Sequence, residues 1–203
     1  MSLFTAIAGA AIAGEKLLPK TKRSLRYKNW ISVNDLKRCL SCEKNHGKVF
    51  EMKELPNPKP PLHFFCRCTI KPMDAIKVGT ATICGLDGAD WVIKHTGRLP
   101  VNYISKEEAV QYGWRPGKCL SSFAPDKIIT GGRYFNDDGH LPSAEGRIWY
   151  EADINYISGK RNSQRILWSN DGLMLATYDH YKSFYEVFRG EKHEKYHTGS
   201  DRL

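Results

Sequence analysis

The chain has 203 residues, enough for one or two domains, and its hydrophobic fraction of 41% is sufficient for globular cores. Its formal net charge of +9 favours a polyanionic partner, although a ribosome-associated or membrane-surface protein would show the same balance. Six cysteines at uneven spacings argue against a dense disulfide scaffold.

Residues 1–37 open the chain with an apolar run followed by a basic stretch. The apolar run, residues 2–14, is too short to span a bilayer, and no positive residues precede it as they would in a signal peptide. It predicts a buried helix or the remnant of a longer parent, and no membrane span is expected. The basic stretch, residues 16–28, is interpreted as a linker-like segment or a solvated helix.

Residues 38–73 contain two short cysteine pairs, with His46 and His63 close by in sequence. The four thiols belong to Cys39, Cys42, Cys66 and Cys68. Tetrahedral zinc is commonly bound by ligand pairs of this spacing, so the pattern predicts one structural zinc ion. The alternative is a small fold with reduced or disulfide-linked pairs. The remaining cysteines, Cys84 and Cys119, are expected to be ordinary buried thiols.

The same segment reads C-x-x-C, then H-G-x-x-F, then P-P-L-H-x-x-C-R-C, and in this it resembles the C-terminal end of Mu F-like phage head-morphogenesis proteins. The match is short and leaves out the larger helical body of that family. The resemblance therefore implies a docking or cargo module ahead of a toxin domain more than a capsid role. A segment of this size buries little apolar surface, so it is expected to need a metal or a neighbour to fold.

Residues 74–85 are interpreted as a connector, and residues 86–188 as a second domain. Its first helix is predicted over residues 87–95, because apolar side chains share one face there and Gly97 follows as a stop signal.

A second helix is predicted where Ser105 and Glu108 form a capping box. Lys106 falls in its first turn, where the helix dipole normally favours anions, and surface solvation is the structural interpretation of this lysine. Trp114 is expected to lie in the core and not to serve as a base-stacking platform. Residues 128–135 then enter the sheet.

The sequence from residue 146 onwards alternates as an antiparallel sheet does. Strands are predicted at residues 148–154, 164–169, 173–177 and 181–188. Trp149, Glu151 and Asp153 fall on one face of the first of them. Because neighbouring strands lie about 5 Å apart, four side chains that are distant in sequence are expected to meet on one surface. They are Glu151, Arg161, Arg165 and His180.

These four groups match the requirements of RNA phosphodiester cleavage. A carboxylate takes the proton from the 2′-hydroxyl, and an imidazole gives a proton to the departing 5′-oxygen. Two guanidiniums stabilise the charge on the phosphorane-like transition state. The alternative is a salt-bridged sheet surface, and spacing alone favours that alternative.

Residues 86–188 resemble barnase-like bacterial ribonucleases through motifs in unbroken order. These are LDGADWVIKHTGRLPVNYISKEEAVQYGW, APDKIITGGRYF, GHLP, YEADINYISGKRNSQRILW and YDHY. The resemblance implies an α+β fold, in which a Cys-rich N-terminal module precedes helices packed on a twisted antiparallel sheet of the microbial ribonuclease type.

The resemblance also implies a role for each site residue. Glu151 is the general base, His180 the general acid, and the transition state is stabilised by Lys106, Arg161 and Arg165. Asp153 and Tyr181 support them, with Asp153 orienting the arginines. Single-stranded RNA is cleaved to a 2′,3′-cyclic phosphate without a catalytic metal, and a small acidic barstar-like protein inhibits the enzyme.

The loop at residues 136–139 departs from the family. Relatives bind guanine there through backbone amides and a glutamate, whereas this loop is shorter and Asp138 stands in the place of the glutamate. Arg133 also stands where relatives carry an acidic residue. Asn136, Asp137 and Asp138 are the guanine-binding candidates, and we expect a guanosine preference weaker than that of relatives.

Two functions remain open on the sequence. The first is a toxin that is delivered or secreted and acts in the cytoplasm of a target cell. An association with a phage is part of the same hypothesis. The second is a structural phage protein whose ribonuclease fold is catalytically weak or dead. The presence of both Glu151 and His180 favours the first. Residues 189–203 are polar and aperiodic and are predicted to be a disordered tail.

Overall fold

The computed structural model describes residues 26–189, which form two β-sheets and three α-helices. The predictions for the apolar run, for most of the basic stretch and for the tail beyond Arg189 lie outside the described residues. Within the described part of the chain, no helix is long and apolar enough to cross a membrane.

Residues 26–73, here called the cysteine module, contain a three-stranded antiparallel sheet in the order β2-β1-β3. Its elements are β1 (Tyr27–Ile31), α1 (Leu40–Asn45), β2 (Val49–Glu51) and β3 (Thr69–Pro72). The central strand β1 comes from the segment preceding the cysteines, so the basic stretch ends in a strand. A small buried cluster holds the module together through Trp30, Cys42 and Cys68.

The rest of the described chain is built on a seven-stranded sheet in the order β4-β10-β9-β8-β7-β6-β5. The strands are β4 (Ala75–Lys77), β5 (Tyr103–Ser105), β6 (Ile128–Tyr134), β7 (Trp149–Asp153), β8 (Arg165–Ser169), β9 (Met174–Thr177) and β10 (Tyr185–Phe188). Strands β6 to β10 pair antiparallel, and the two edge strands pair parallel to their neighbours. The α+β class is confirmed, and the predicted connector contributes the edge strand β4.

Two helices of residues 86–188 form where the local signals predict them. Helix α2 (Ala89–Thr96) ends at Gly97, whose left-handed φ of 72° is readily adopted only by residues without a Cβ. Helix α3 (Lys106–Gln111) begins with the complete capping box between Ser105 and Glu108. Trp114 is 2% exposed within an apolar cluster, which confirms its assignment to the core.

Strand β10 begins four residues later than predicted. The Asp179 carboxylate accepts hydrogen bonds from the amides of Lys182 (3.1 Å) and Ser183 (2.9 Å), so residues 179–184 form a turn instead of continuing a strand. The expectation of buried thiols was also wrong. Cys84 is exposed just before a short 3-10 helix, and Cys119 is half-buried with its thiol beside the Ser121 hydroxyl at 3.3 Å.

Side chains alternate across the seven-stranded sheet and supply a core on each face. Helix α2 packs on the back face, where the buried residues include Ile76, Ala89, Ile93, Ile166 and Val187. The front face is the one that carries Trp149, Glu151 and Asp153, and part of it is covered by the cysteine module. That second cluster consists of Tyr27, Val49, Met73, Leu141, Trp149, Leu167, Leu175 and Phe184.

Candidate active site and cysteine cluster

Glu151 lies in the middle of the front face, where β7 pairs with β6. The pairing shifts register after Thr130, and the Glu151 side chain lies over Gly131. A Cβ on that glycine would fall closer than 3.0 Å to three Glu151 side-chain atoms. With Glu151 in this rotamer there is no room for a side chain at residue 131, and the carboxylate also accepts a hydrogen bond from the Tyr181 hydroxyl.

Asp153 lies two residues further along β7 and is 1% exposed. Its carboxylate accepts hydrogen bonds from Arg161 Nε and Nη2, both at 2.6 Å, and forms an ion pair with Arg165, whose Nε lies 3.0 Å away. One buried carboxylate thus holds both guanidiniums on the front face. The hydrogen bonds with Asp153 also raise the pKa of Arg161, so its positive charge is secure.

The two arginines differ in access. Arg165 is 5% exposed, and its Nη1 donates to the carbonyl oxygens of Asn162 (2.8 Å) and Gln164 (2.7 Å). Arg161 reaches the surface, with 22% of its side chain exposed. Arg165 therefore forms part of the fixed floor, and Arg161 is the guanidinium open to a ligand.

His180 and Tyr181 lie on the 179–184 turn with left-handed φ values of 58° and 65°. Such backbone is uncommon outside glycine and is often found at functional sites. The turn is anchored by hydrogen bonds from His180 N to Ser163 O and from Tyr181 N to Thr177 Oγ1, both 3.0 Å. His180 is exposed, and its ring centre lies 4.8 Å from that of Tyr181.

Tyr181 links this turn to the carboxylate on β7. Burial, followed by the hydrogen bond to Glu151, raises the pKa of the Tyr181 phenol. The phenol therefore remains protonated at neutral pH and keeps donating to Glu151.

Lys106 is exposed in the first turn of α3 and lines an open cleft of about 400 Å³. The cleft is also lined by Trp114, Gly117, Lys118, Lys160 and Arg161. Arg161 belongs to both the cleft and the Asp153 network, so the structure places Lys106 on the same side of the molecule as the front-face groups. Four cationic side chains in one cleft form a surface suited to phosphate.

The 136–139 loop is closed by Asn136. Its side-chain amide donates to the carbonyl oxygen of Leu141 (2.7 Å) and accepts from the Leu141 amide (2.9 Å). The Asn136 side chain is thus engaged within the loop, while Asp137 and Asp138 are exposed. The Arg133 guanidinium lies over the Phe135 ring, 5.2 Å from its centre.

In the cysteine module, potential metal ligands form two groups that share Cys42. One consists of Cys39, Cys42 and His63, and the other of Cys42, Cys66 and Cys68. In each group the ligand atoms lie within 4.8 Å of one another. The Cys42 and Cys66 sulfurs are 3.7 Å apart, close to the roughly 3.8 Å expected for two thiolates at 2.3 Å from a tetrahedral zinc.

His63 is a further candidate zinc ligand, in addition to the four cysteines predicted from the sequence. Its Nε2 lies 3.2 Å from both the Cys39 and Cys42 sulfurs, and its Nδ1 lies 2.7 Å from the Phe64 carbonyl oxygen. A backbone carbonyl can only accept a hydrogen bond, so Nδ1 carries the proton and donates it, which leaves the lone pair of Nε2 free to bind a metal. The available signal was the position of His63 three residues before Cys66. His46 is different, since its Nδ1 accepts from the Ser32 amide at 3.0 Å.

Comparison with known proteins finds matches to two family models in different parts of the chain. A family model described as ribonuclease matches residues 89–188. Curated ribonucleases from Heyndrickxia coagulans, Bacillus intermedius and Bacillus pumilus are each 48% identical over 109 residues, or 53% of this chain. The match covers 99% of the first relative and 67% of each of the other two.

A second family model, described as Phage Mu protein F like protein, matches residues 7–71. The match therefore begins well before the first cysteine motif, which starts at Cys39. It ends at the last strand of the cysteine module, so the boundary between the two families falls close to β4.

Proposed function

The chain belongs to the ribonuclease family, and on that premise we propose that it is an endoribonuclease acting on single-stranded RNA. The observation that carries the proposal is the front-face arrangement of Glu151, held by Tyr181, beside two arginines fixed by Asp153. His180 lies on the turn next to that carboxylate. A salt-bridged structural surface would not require a glycine beneath the glutamate or strained backbone at the histidine.

The reaction assigned to these groups is an in-line transesterification. Glu151 takes the proton of the 2′-hydroxyl, the 2′-oxygen bonds to phosphorus, and the bond from phosphorus to the 5′-oxygen breaks. His180 gives its proton to that 5′-oxygen, leaving a 2′,3′-cyclic phosphate. DNA has no 2′-hydroxyl and is therefore not a substrate.

Charge stabilisation comes from the chain's own cations. Lys106, Arg161, Arg165 and the protonated general acid His180 supply four positive charges against the two carboxylates of Glu151 and Asp153, which leaves two in excess before substrate binds. This excess favours binding of the phosphate and stabilises the additional negative charge of the transition state. No catalytic metal is needed in this scheme, because the nucleophile belongs to the substrate and the side chains supply the electrophilic groups.

The test is cleavage of a short single-stranded RNA of defined sequence in EDTA. We expect Glu151→Gln and His180→Ala to lose about 10²–10⁴-fold in kcat/KM, the usual contribution of acid–base catalysis. Glu145→Gln removes an exposed carboxylate outside the site and is the matched control. Wild-type rates in Glu151→Gln would exclude Glu151 as the base, and cleavage of the equivalent DNA would exclude the mechanism.

A preference for guanosine belongs to the same proposal. Asp138 takes the place of the base-binding glutamate, and it is exposed at the end of a loop that Asn136 closes. Because both the side chain and the loop are shorter, the Asp138 carboxylate reaches less far toward the base than the glutamate of relatives does. The preference is therefore weaker than a well-placed bidentate contact would give.

The cysteine cluster is proposed to bind one structural zinc ion through Cys42 and neighbours from Cys39, His63, Cys66 and Cys68. Thiolates and an imidazole nitrogen are the donors that zinc prefers, and the two groups share Cys42. When bound, the ion would cross-link α1 to the segment before β3. Zinc analysis of single variants tests this, and Cys42→Ser is expected to lose the ion most completely.

We assign the enzyme the role of a toxin delivered into a target cell and held in check by a small acidic inhibitor. Two observations support this: the net charge of +9, and a phage Mu protein F like segment ahead of the ribonuclease-like part. The test is bacterial expression with and without a co-expressed small acidic partner. Equal growth in both cases would favour the structural phage-protein alternative.

A further inference from the structure

The segment of residues 46–49, which joins α1 to β2 and includes the first residue of β2, lies against two loops of the candidate active site, residues 136–141 and 179–184. We call it the module turn. The amide of Val49 donates to the carbonyl oxygen of His140 at 2.7 Å, within the loop that Asn136 closes onto Leu141. Gly47 lies against the backbone of the 179–184 turn, which carries His180.

The contact at Gly47 is too close for any side chain. Gly47 has a φ of +81°, and a Cβ there would be 2.8 Å from the carbonyl oxygen of Lys182 and 3.6 Å from that of Tyr181. The neighbouring atoms are backbone, so they cannot move aside by rotating a side chain. Any larger residue at position 47 must displace the 179–184 turn. That turn carries Tyr181, which donates a hydrogen bond to Glu151.

A buried apolar cluster fixes the module turn in this place. Val49 is 2% exposed and packs in the cluster with Leu141, at the end of the 136–139 loop, and Phe184, at the end of the 179–184 turn. Leu167 and Leu175 of the front face belong to the same cluster. The module thus rests on the sheet next to the site and contacts both loops at their ends.

We propose that the module turn is a positioning element for the ribonuclease site, with Gly47 as its decisive residue. It holds the 179–184 turn so that His180 and Tyr181 keep their places relative to Glu151, and it holds the loop of Asp138 through His140. This inference rests on the proposed ribonuclease function.

The test compares Gly47→Ala with Gly97→Ala in the full chain. Both glycines have positive φ, at 81° and 72°, so both variants carry similar backbone strain, but nothing lies within 4 Å of a Cβ at Gly97. We expect kcat/KM for a GpN dinucleotide to fall about tenfold in Gly47→Ala, mostly in kcat, because sub-ångström displacement of a catalytic group is costly. Gly97→Ala stays within about twofold of wild type, although its strained backbone also lowers thermal stability.

A second pair keeps the test valid if Gly47→Ala does not fold. Val49→Ala and Val78→Ala remove the same atoms from buried sites, at the module turn and in the back-face core respectively. We expect Val49→Ala alone to lower kcat/KM, by about threefold or more, at a temperature where both are folded.

The outcomes separate the two proposals. Active wild-type protein with equal kcat/KM in both members of each pair would overturn the positioning role alone. Wild-type protein that does not cleave RNA would overturn the proposed function, and the positioning role with it. A fall confined to KM would also overturn the assignment of Gly47 to the catalytic turn, since that turn acts on the transition state.

Discussion

The two parts of the described chain are stabilised in different ways. The ribonuclease-like part has a buried cluster on each face of its sheet and a fully buried carboxylate paired with two arginines. The cysteine module has a small cluster of its own, while Leu36, Phe64 and Phe65 are almost fully exposed. The first part has a back-face core made of its own residues and shares its front-face cluster with Tyr27, Val49 and Met73 of the module, whereas a segment as small as the module buries little apolar surface by itself.

Removal of the proposed zinc ion should produce the largest difference in stability between the two parts. Structural zinc contributes roughly 10–16 kcal/mol to folding in small zinc domains. We expect zinc-stripped protein, or Cys42→Ser, to lose hydrogen-exchange protection in α1 and β1 while β7 to β9 remain protected. Cys84→Ser, at an exposed cysteine outside the cluster, is the control. Full protection of both parts without zinc would show that the module is held by its neighbour alone.

Asp153→Asn should cause the next largest effect, within the ribonuclease-like part. Removing one partner of a buried ion pair typically costs about 3–5 kcal/mol, because the remaining charges stay buried. We expect that loss in the free energy of unfolding measured with urea. Asp171→Asn breaks an ion pair with Arg147 in which the aspartate is 43% exposed, and should cost no more than about 1 kcal/mol. Equal losses would mean that the Asp153 network is not a structural anchor.

Gly131→Ala tests whether RNA cleavage requires the Glu151 side chain to lie directly over residue 131. The new methyl group would occupy the space of the carboxylate side chain, so we expect kcat/KM to fall about 100-fold. Gly146→Ala adds strain at a φ of +72° in open space and should lose stability but not activity. Activity that survives in Gly131→Ala would show that Glu151 can work from another rotamer.

Asp138→Asn should give the smallest effect, at the 136–139 loop proposed to bind the base. We expect the ratio of kcat/KM for GpN over ApN to fall about tenfold, or roughly 1.4 kcal/mol, with little change in Asp137→Asn. Equal rates for GpN and ApN in wild type would mean that no guanine site exists. A preference that persists in Asp138→Asn would point to another carboxylate.

Local sequence signals located many elements of the ribonuclease-like part, but they predicted neither β4 nor β5. Alternation located the strand of Glu151 and Asp153, and Ser105 with Glu108 marked the start of α3. Each of these signals depends on residues only two or three positions apart, so it can be identified in the sequence without knowledge of the fold. The same reasoning failed at residues 181–184, where the Asp179 side chain competes for the backbone amides.

The sequence by itself also determined which chemical groups the site contains, because side-chain identity and strand faces follow directly from it. Only the tertiary structure decided which groups touch: that Gly131 lies beneath Glu151, that His63 joins Cys39 and Cys42, and that Gly47 reaches the turn of His180. Each of these contacts joins residues at least 20 positions apart in the chain or on different sheets. Such contacts are set by how the sheets pack, and a single sequence carries no local signal for that packing.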